Sequence, residues 1–296
     1  MNIGVAYGTL FLRHNDSNNV LFQENTIVEP KMGKCYPDYQ ASPYFPYDPD
    51  SEEQNELAAF LTKVYPDEEL REFVLTVFAS CLEHENREQR FYCMIGNGSN
   101  GKSAVETLMT NTFGEYAHRL RTEVLTQVRP SLNTWKRDIV SAEDKRYITV
   151  SEPEEGQKLH VPTLRYMCEG APVFPRSSNA NPNEEKVAIK GKLFMSCNTF
   201  PALRHTNVAF WNNVLVIPHT SKFLDAGDPL IDPSKHIWER DVNLAEKLLA
   251  WRTPFLSLLT HYYTIYCHRG LEVPESVVAC TEQCRLESLS PSGLAT

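Results

Sequence analysis

Short apolar runs alternate along this chain with stretches of helical period. Phe91-Tyr92-Cys93-Met94-Ile95, Tyr147-Ile148-Thr149-Val150, Lys192-Leu193-Phe194-Met195-Ser196-Cys197 and Val214-Leu215-Val216-Ile217 read as buried strands. Between them, Ala104 to Met109, Leu132 to Asp144 and Pro162 to Cys168 carry helical patterns. Pro162 stands in the first turn of the last of these, and Glu169-Gly170 ends it. Strands separated by helices predict an α/β core. Lys186-Val187-Ala188-Ile189-Lys190 alternates after a stretch rich in Pro and Asn, predicting a hairpin or long loop with its tip near Asn179 to Glu185.

Upstream, Asp50 and Ser51 are N-cap candidates for a helix bearing Leu57, Phe60, Leu61 and Val64. Pro66 opens a second, whose Leu70, Phe73, Val74, Val77, Phe78 and Cys81 form a broad apolar stripe of core type. Residues 1–30 hold β-prone pieces (Ile3 to Tyr7, Val20 to Phe22), and Tyr36 to Pro49 is a turn-rich connector. Downstream, Asp241 is read as the cap of a long helix, kinked near Pro254 and resumed to Tyr263. The tail beyond Gly270 grows polar, and its last dozen residues are expected to lack order. The divisions expected are 1–49 as β and turn-rich appendage, 50–88 as helical subdomain, 89–240 as α/β core, and 241–296 as helical region with polar tail.

Gly96-Asn97-Gly98-Ser99-Asn100-Gly101-Lys102-Ser103 lies between a predicted strand and a predicted helix opening at Ala104. That is the context of a phosphate-binding loop, in which backbone N–H groups and a helix N-terminus converge on a polyphosphate. Lys102 then reaches the outer phosphates and the Ser103 hydroxyl is a ligand to Mg2+. Roughly fifty residues on, Glu152 ends a strand, where a carboxylate orients Mg2+ or polarises a water. Glu154 and Glu155 read as a solvated loop. Asn198 ends another strand, placed either to hold a γ-phosphate or attacking water or simply to cap the turn.

The 296 residues, 42% hydrophobic and 23% charged, suit a globular protein with a core. No apolar run reaches the roughly eighteen residues of a membrane span and no secretory leader is seen. Eight scattered cysteines without a Cys-x-x-Cys pattern argue for reduced thiols; Cys280, Cys284 and His268 are the one conceivable metal cluster. A net charge of −9 argues against a surface that coats duplex DNA. It is compatible with a local basic stretch, and Arg119, Arg121, Arg129, Lys136 and Arg137 face only Glu123 in their segment.

With these elements in order, the chain resembles superfamily 3 helicases, and more closely the poxvirus-type primase-helicases of large DNA viruses and some phages. The resemblance runs from about Tyr36 to about Arg252. It includes Pro37-Asp38-Tyr39, Gly96 to Ser103, Phe113-Gly114-Glu115-Tyr116-Ala117, Lys145-Arg146 and Ser151-Glu152. It continues through Arg176, Lys192 to Asn198, Phe200-Pro201, Phe210-Trp211 and Phe223. It implies an AAA+-like, three-layer P-loop core assembled as a ring, commonly a hexamer, with ATP and Mg2+ between subunits and single-stranded DNA through the centre. Lys102 and Ser103 match the first ATPase motif, Glu152 the second and Asn198 the sensor. Arg176 matches a channel-side arginine, with Lys186 and Lys190 as further phosphate-backbone contacts on the same predicted hairpin.

Two departures stand out. The family usually carries an arginine after the tryptophan, where this chain has Asn212-Asn213, so Arg204 is the candidate substitute. Cys168-Glu169-Gly170-Ala171 replaces a Gly-Asp-type turn. The resemblance implies a viral DNA helicase in host cytoplasm or nucleus, working with a primase domain or polymerase. A nucleotide-dependent loading module with weak hydrolysis is the second reading and a small-molecule kinase the third.

Overall fold

The computed structural model describes residues 2–5, 8–12, 20–24, 43–127, 132–170, 188–204 and 208–289. Strands β1 (Asn2–Val5), β2 (Gly8–Leu12) and β3 (Val20–Glu24) pair antiparallel in that order. Ile3, Val5, Leu10 and Leu12 are buried at alternate positions. Helix α1 (Glu52–Val64) starts where the Ser51 hydroxyl accepts a hydrogen bond from Gln54 N at 3.3 Å. In α2 (Glu68–Ser80) the cap is Asp67, which accepts from Leu70 N at 3.1 Å. Pro66 therefore precedes that helix rather than opening it.

The chain continues through β4 (Phe91–Ile95), α3 (Lys102–Phe113), β5 (Ala117–Leu120), α4 (Glu123–Thr126), α5 (Leu132–Ala142) and β6 (Tyr147–Ser151). Next come β7 (Leu159–His160), α6 (Val161–Cys168), β8 (Lys192–Cys197), β9 (Leu203–Arg204), α7 (Val208–Trp211) and β10 (Val214–Pro218). It closes with β11 (Lys222–Leu224), β12 (Ile237–Glu239), α8 (Leu244–Ala250), α9 (Arg252–Arg269) and α10 (Glu275–Leu289).

These elements form two compact units, each made of separated segments. One comprises residues 84–95, 118–218 and 275–296. Its centre is a sheet of order β10-β4-β8-β6-β5, in which β10–β4, β4–β8 and β8–β6 are parallel. Strands buried on both faces need the continuous apolar runs seen in the sequence. The Phe194 ring lies 4.9 Å from Tyr92 and 5.0 Å from Tyr147. Lys192, fully buried at the start of β8, is accommodated by donating to Glu85 O at 2.8 Å.

Helix α10 covers β10, contrary to the tail expected to lack order through its last dozen residues: residues 285–289 are helical. It buries Val277 and Cys284, and the Thr281 hydroxyl accepts from Val216 N at 2.9 Å. Residues 290–296 and the expected hairpin tip lie outside the described residues.

The other unit comprises residues 1–83, 96–117 and 219–274. Here α9 packs on α2, its Phe255, Leu256, Leu259 and Tyr263 are buried, and Tyr263 donates to Glu83 Oε1 at 2.9 Å. Asp241 does not cap the first of its C-terminal helices. Its Oδ1 accepts from Asn243 N and its Oδ2 is bonded to Lys247, so the helix begins at Leu244. The break falls at Trp251, and Pro254 is tolerated in the first turn of α9, where its missing N–H costs nothing. No described helix is long and apolar enough to cross a membrane.

Candidate nucleotide site

The glycine-rich loop belongs to the second of these units. Gly96 has φ +155°, and a Cβ there would lie 2.5 Å from the His219 carbonyl oxygen and inside contact distance of the Asn100 amide. Gly101 has φ +88°, with its Cα facing the Val64 methyls. Both positions require glycine. Ser99 also has a left-handed φ of +61°, held because its carbonyl accepts from Phe223 N at 2.7 Å. A Cβ at Gly98 would have nothing within 4 Å, and Asn97, Gly98 and Ser99 are exposed.

Helix α3 follows with no side-chain cap, since its cap position is Gly101. Lys102, in its first turn, is only 7% exposed, and its Nζ donates to Gly96 O and to Asn100 Oδ1, the latter at 3.2 Å. Asn100 is 3% exposed, and its Nδ2 has no hydrogen-bond partner. The Ser103 hydroxyl is at an exposed position and Ala104 is half-buried. An uncapped helix start, a buried ammonium and a glycine-shaped backbone turn are the parts from which a polyphosphate could be held.

Three residues not singled out in the sequence for this site support the loop. His219, the residue after β10, stacks on Tyr65 at 4.8 Å, and its Nε2 is 3.1 Å from the Tyr65 hydroxyl. Burial pulls the His219 pKa down to about 3, and the nearby Lys102 charge acts in the same direction. Arg240 reaches Ser99 Oγ at 3.5 Å while pairing with Asp225 at 2.8 Å. A histidine after one proline and a tyrosine before another carry no local signal; only the fold brings them to the loop.

The sheet-bearing unit holds the other candidates. Glu152 and Asn198 follow the neighbouring strands β6 and β8, whose register pairs Ser151 with Ser196. Glu152 Oε1 accepts from Asn198 N at 3.1 Å, so the two expected residues are brought together. Both are exposed. Beside them Arg119 donates to Ser151 Oγ through Nε at 3.2 Å and Nη2 at 2.9 Å. Arg121 is paired with Asp138 at 2.9 Å, so the basic stretch is partly neutralised by an acid just beyond it.

Arg204 is exposed on β9, and Lys190 is exposed ahead of β8. Arg176 and Lys186 lie outside the described residues. Asn213, the second of the two asparagines after Trp211, donates to Gln89 O at 2.9 Å, while its own carbonyl accepts from Phe91 N at 2.7 Å. Among the described residues no group of His, Cys, Asp or Glu is arranged to hold a metal ion by itself.

No family model matches the chain. It is 28% identical, in an alignment of 296 positions that covers 95% of this chain, to "Putative helicase L207/L206" of Acanthamoeba polyphaga mimivirus. It is 27% identical over 213 residues, or 71% of its length, to "Putative helicase 022R" of Frog virus 3 (isolate Goorha). The chain spans 30% of the first of these proteins and 21% of the second. Among solved structures, the apo C-terminal region of NrS-1 superposes with a TM-score of 0.56 at 12% identity, covering 98% of this chain and 72% of that one. The A form apo structure of that region gives 0.53 at 13% identity, covering 95% and 70%. The α/β class expected from the sequence is thus the fold observed, and the chain is similar to helicase-named proteins of large DNA viruses, over 95% of its length to the first and 71% to the second.

Proposed function

We propose that this chain is the ATPase core of a superfamily 3 DNA helicase of viral genome replication, AAA+-like, working as a ring, commonly a hexamer, on single-stranded DNA. The observation that carries the reading is the glycine loop closed on buried Lys102 at an uncapped helix start. The loop residues Gly96 to Ala104 hold the phosphates of ATP, with the Ser103 hydroxyl and Glu152 as the oxygen ligands for Mg2+. When bound, ATP supplies the phosphoanhydride whose cleavage drives movement. Glu152 accepts the proton of an attacking water, and Asn198, tied to Glu152 through its backbone N–H, responds to its position. Arg204 is the exposed cation assigned the role of the missing arginine. Arg176, Lys186 and Lys190 contact the strand, and a primase domain or polymerase is the partner expected in the host cytoplasm or nucleus.

The test is ATP hydrolysis by the purified chain with and without single-stranded DNA, alongside its mass in solution. Lys102→Ala is expected to abolish DNA-stimulated turnover; full turnover in that variant would overturn the reading. Asn213 favours a second reading, because its side chain is bound to Gln89 rather than offered to a phosphate. In that reading the chain is an ATP-binding, ring-forming loading module with partner-dependent hydrolysis, and strand displacement by the purified protein would count against it.

A further inference from the structure

The last residue of β6 is held at both its side chain and its backbone. Arg119, on the edge strand β5 beside β6, donates to Ser151 Oγ through Nε at 3.2 Å and Nη2 at 2.9 Å. The Thr122 hydroxyl, just beyond β5, donates to Ser151 O at 3.3 Å. Charged side chains on an edge strand usually face solvent and block further pairing. Arg119 instead turns two N–H groups onto a neutral hydroxyl, and it has no carboxylate partner among the described residues. Arg121, two positions on, is paired with Asp138. Two donors of a rigid planar guanidinium on one acceptor fix orientation as well as distance. Glu152 is the next residue along the chain. Its Oε1 accepts from Asn198 N at 3.1 Å, and its Oε2 has no hydrogen bond among the described residues. The carboxylate is thus tied at one oxygen and open at the other.

We propose that Arg119, assisted by Thr122, is a positioning residue for Glu152: it locks Ser151, and with it the direction in which the carboxylate leaves the sheet, without touching the reacting atoms. The inference rests on the hydrolysis reading above, in which Glu152 accepts the proton of the attacking water, and it assigns that proton to Oε2. Glu152 lies one residue past the end of β6, so no ladder bond of its own strand holds it. Its aim is set by Ser151 on one side and by the Asn198 N–H on the other. A general base acts only within hydrogen-bond reach of the proton it takes. A turn at Ser151 that carries Oε2 away from that reach therefore slows turnover while the binding of nucleotide is kept.

Double-mutant cycles on steady-state ATP turnover by the purified chain test this, with ATP affinity measured without Mg2+ and thermal melting as controls. Arg119→Ala and Ser151→Ala are each expected to lower kcat about tenfold, with affinity and melting close to wild type. Both break the same contact, so the double variant should be no slower than either alone. Arg119→Lys keeps the charge without the fork and should behave as Arg119→Ala. Ser151→Thr keeps the hydroxyl and should turn over within about threefold of the wild type. In a Glu152→Gln chain, Arg119→Ala should change nothing further, because the group it aims is gone. Losses that multiply in the Arg119 and Ser151 pair, a full effect of Arg119→Ala on top of Glu152→Gln, or wild-type turnover in both alanine variants would overturn the assignment. So would a loss confined to affinity for single-stranded DNA, which would put Arg119 on the strand instead. Should Arg119→Ala fail to fold, Arg119→Lys compared with Ser151→Thr still decides the matter. A wild-type chain that binds ATP without turning it over removes the hydrolysis reading itself, and this inference falls with it.

Discussion

Replacing Gly96 and Gly98 in turn separates what the loop needs in order to fold from what it needs in order to bind. At Gly96 an alanine must adopt φ near +155°, a region costing about 1–3 kcal/mol for a residue with a Cβ. Its methyl also meets the His219 carbonyl at 2.5 Å and the Asn100 amide. The carbonyl is backbone at the exit of β10, and the amide is held through Oδ1 by Lys102, so neither yields readily. Overpacking of this kind costs about 1–3 kcal/mol more. Together the terms reach about 2–6 kcal/mol, a large part of a total stability of about 5–15. At about 2 °C per kcal/mol, scanning calorimetry should show Gly96→Ala melting about 4–12 °C below the wild type.

Gly98→Ala should melt within about 1 °C, because an added Cβ touches nothing and φ is not positive. Its methyl would project from the exposed loop where phosphate is proposed to approach, so nucleotide affinity should drop about tenfold or more. Gly96→Ala melting with the wild type, or Gly98→Ala falling as far, would refute the geometric reasoning.

Three further outcomes follow from the same structure. Glu152→Gln should lower ATP turnover about 10²-fold or more while nucleotide affinity measured without Mg2+ is kept, read by steady-state kinetics beside calorimetry; undiminished turnover would remove Glu152 as the base. His219 has a folded-state pKa of about 3, below its unfolded value near 6.5, so the unfolded chain takes up its proton first as pH falls. The stability this group contributes is complete above about pH 6.5 and is lost at up to about 1.4 kcal/mol per pH unit toward pH 3. Urea midpoints at pH 7.5, 6 and 5 should converge between wild type and His219→Phe as pH drops, and parallel curves would contradict the shift. Thr281→Val, which strips the acceptor from Val216 N on β10, should cost about 1–3 kcal/mol by urea denaturation. An unchanged midpoint would mean that α10 does not satisfy that edge.

The sheet was legible because β4, β6, β8 and β10 are each apolar on both faces and bounded by polar or turn residues, a pattern that only burial explains. The loop was legible because its glycines and lysine are contiguous. The pairing of Glu152 with Asn198 followed from register, since each residue comes directly after one of two adjacent strands. Helix α10 was missed for the opposite reason. Only Val277 and Cys284 are buried along it, seven residues apart, so most of its surface reads as a polar tail. The cap at Asp241 was misread because an aspartate that can cap can equally close a turn and bind a lysine. Tyr65 and His219, 154 positions apart in the chain, give no sequence signal for the contact that supports the loop.

The departure at Asn212-Asn213 takes a definite physical form in the fold. Asn213 sits in the turn that leads α7 into β10, and both its side chain and its carbonyl hold the entry to β4. Gln89, whose carbonyl it binds, is itself in the left-handed region at φ +52°, a conformation that needs outside support in a residue with a Cβ. An arginine at 213 could not accept this position without releasing Gln89, because its guanidinium is carried well beyond the short reach of the asparagine amide. The strand entry that precedes the glycine-rich loop and the absence of an arginine at 213 are thus one structural choice. Under the proposed function, a cation reaching a neighbouring subunit's phosphate stands at neither asparagine, and Arg204, exposed on β9, is the candidate.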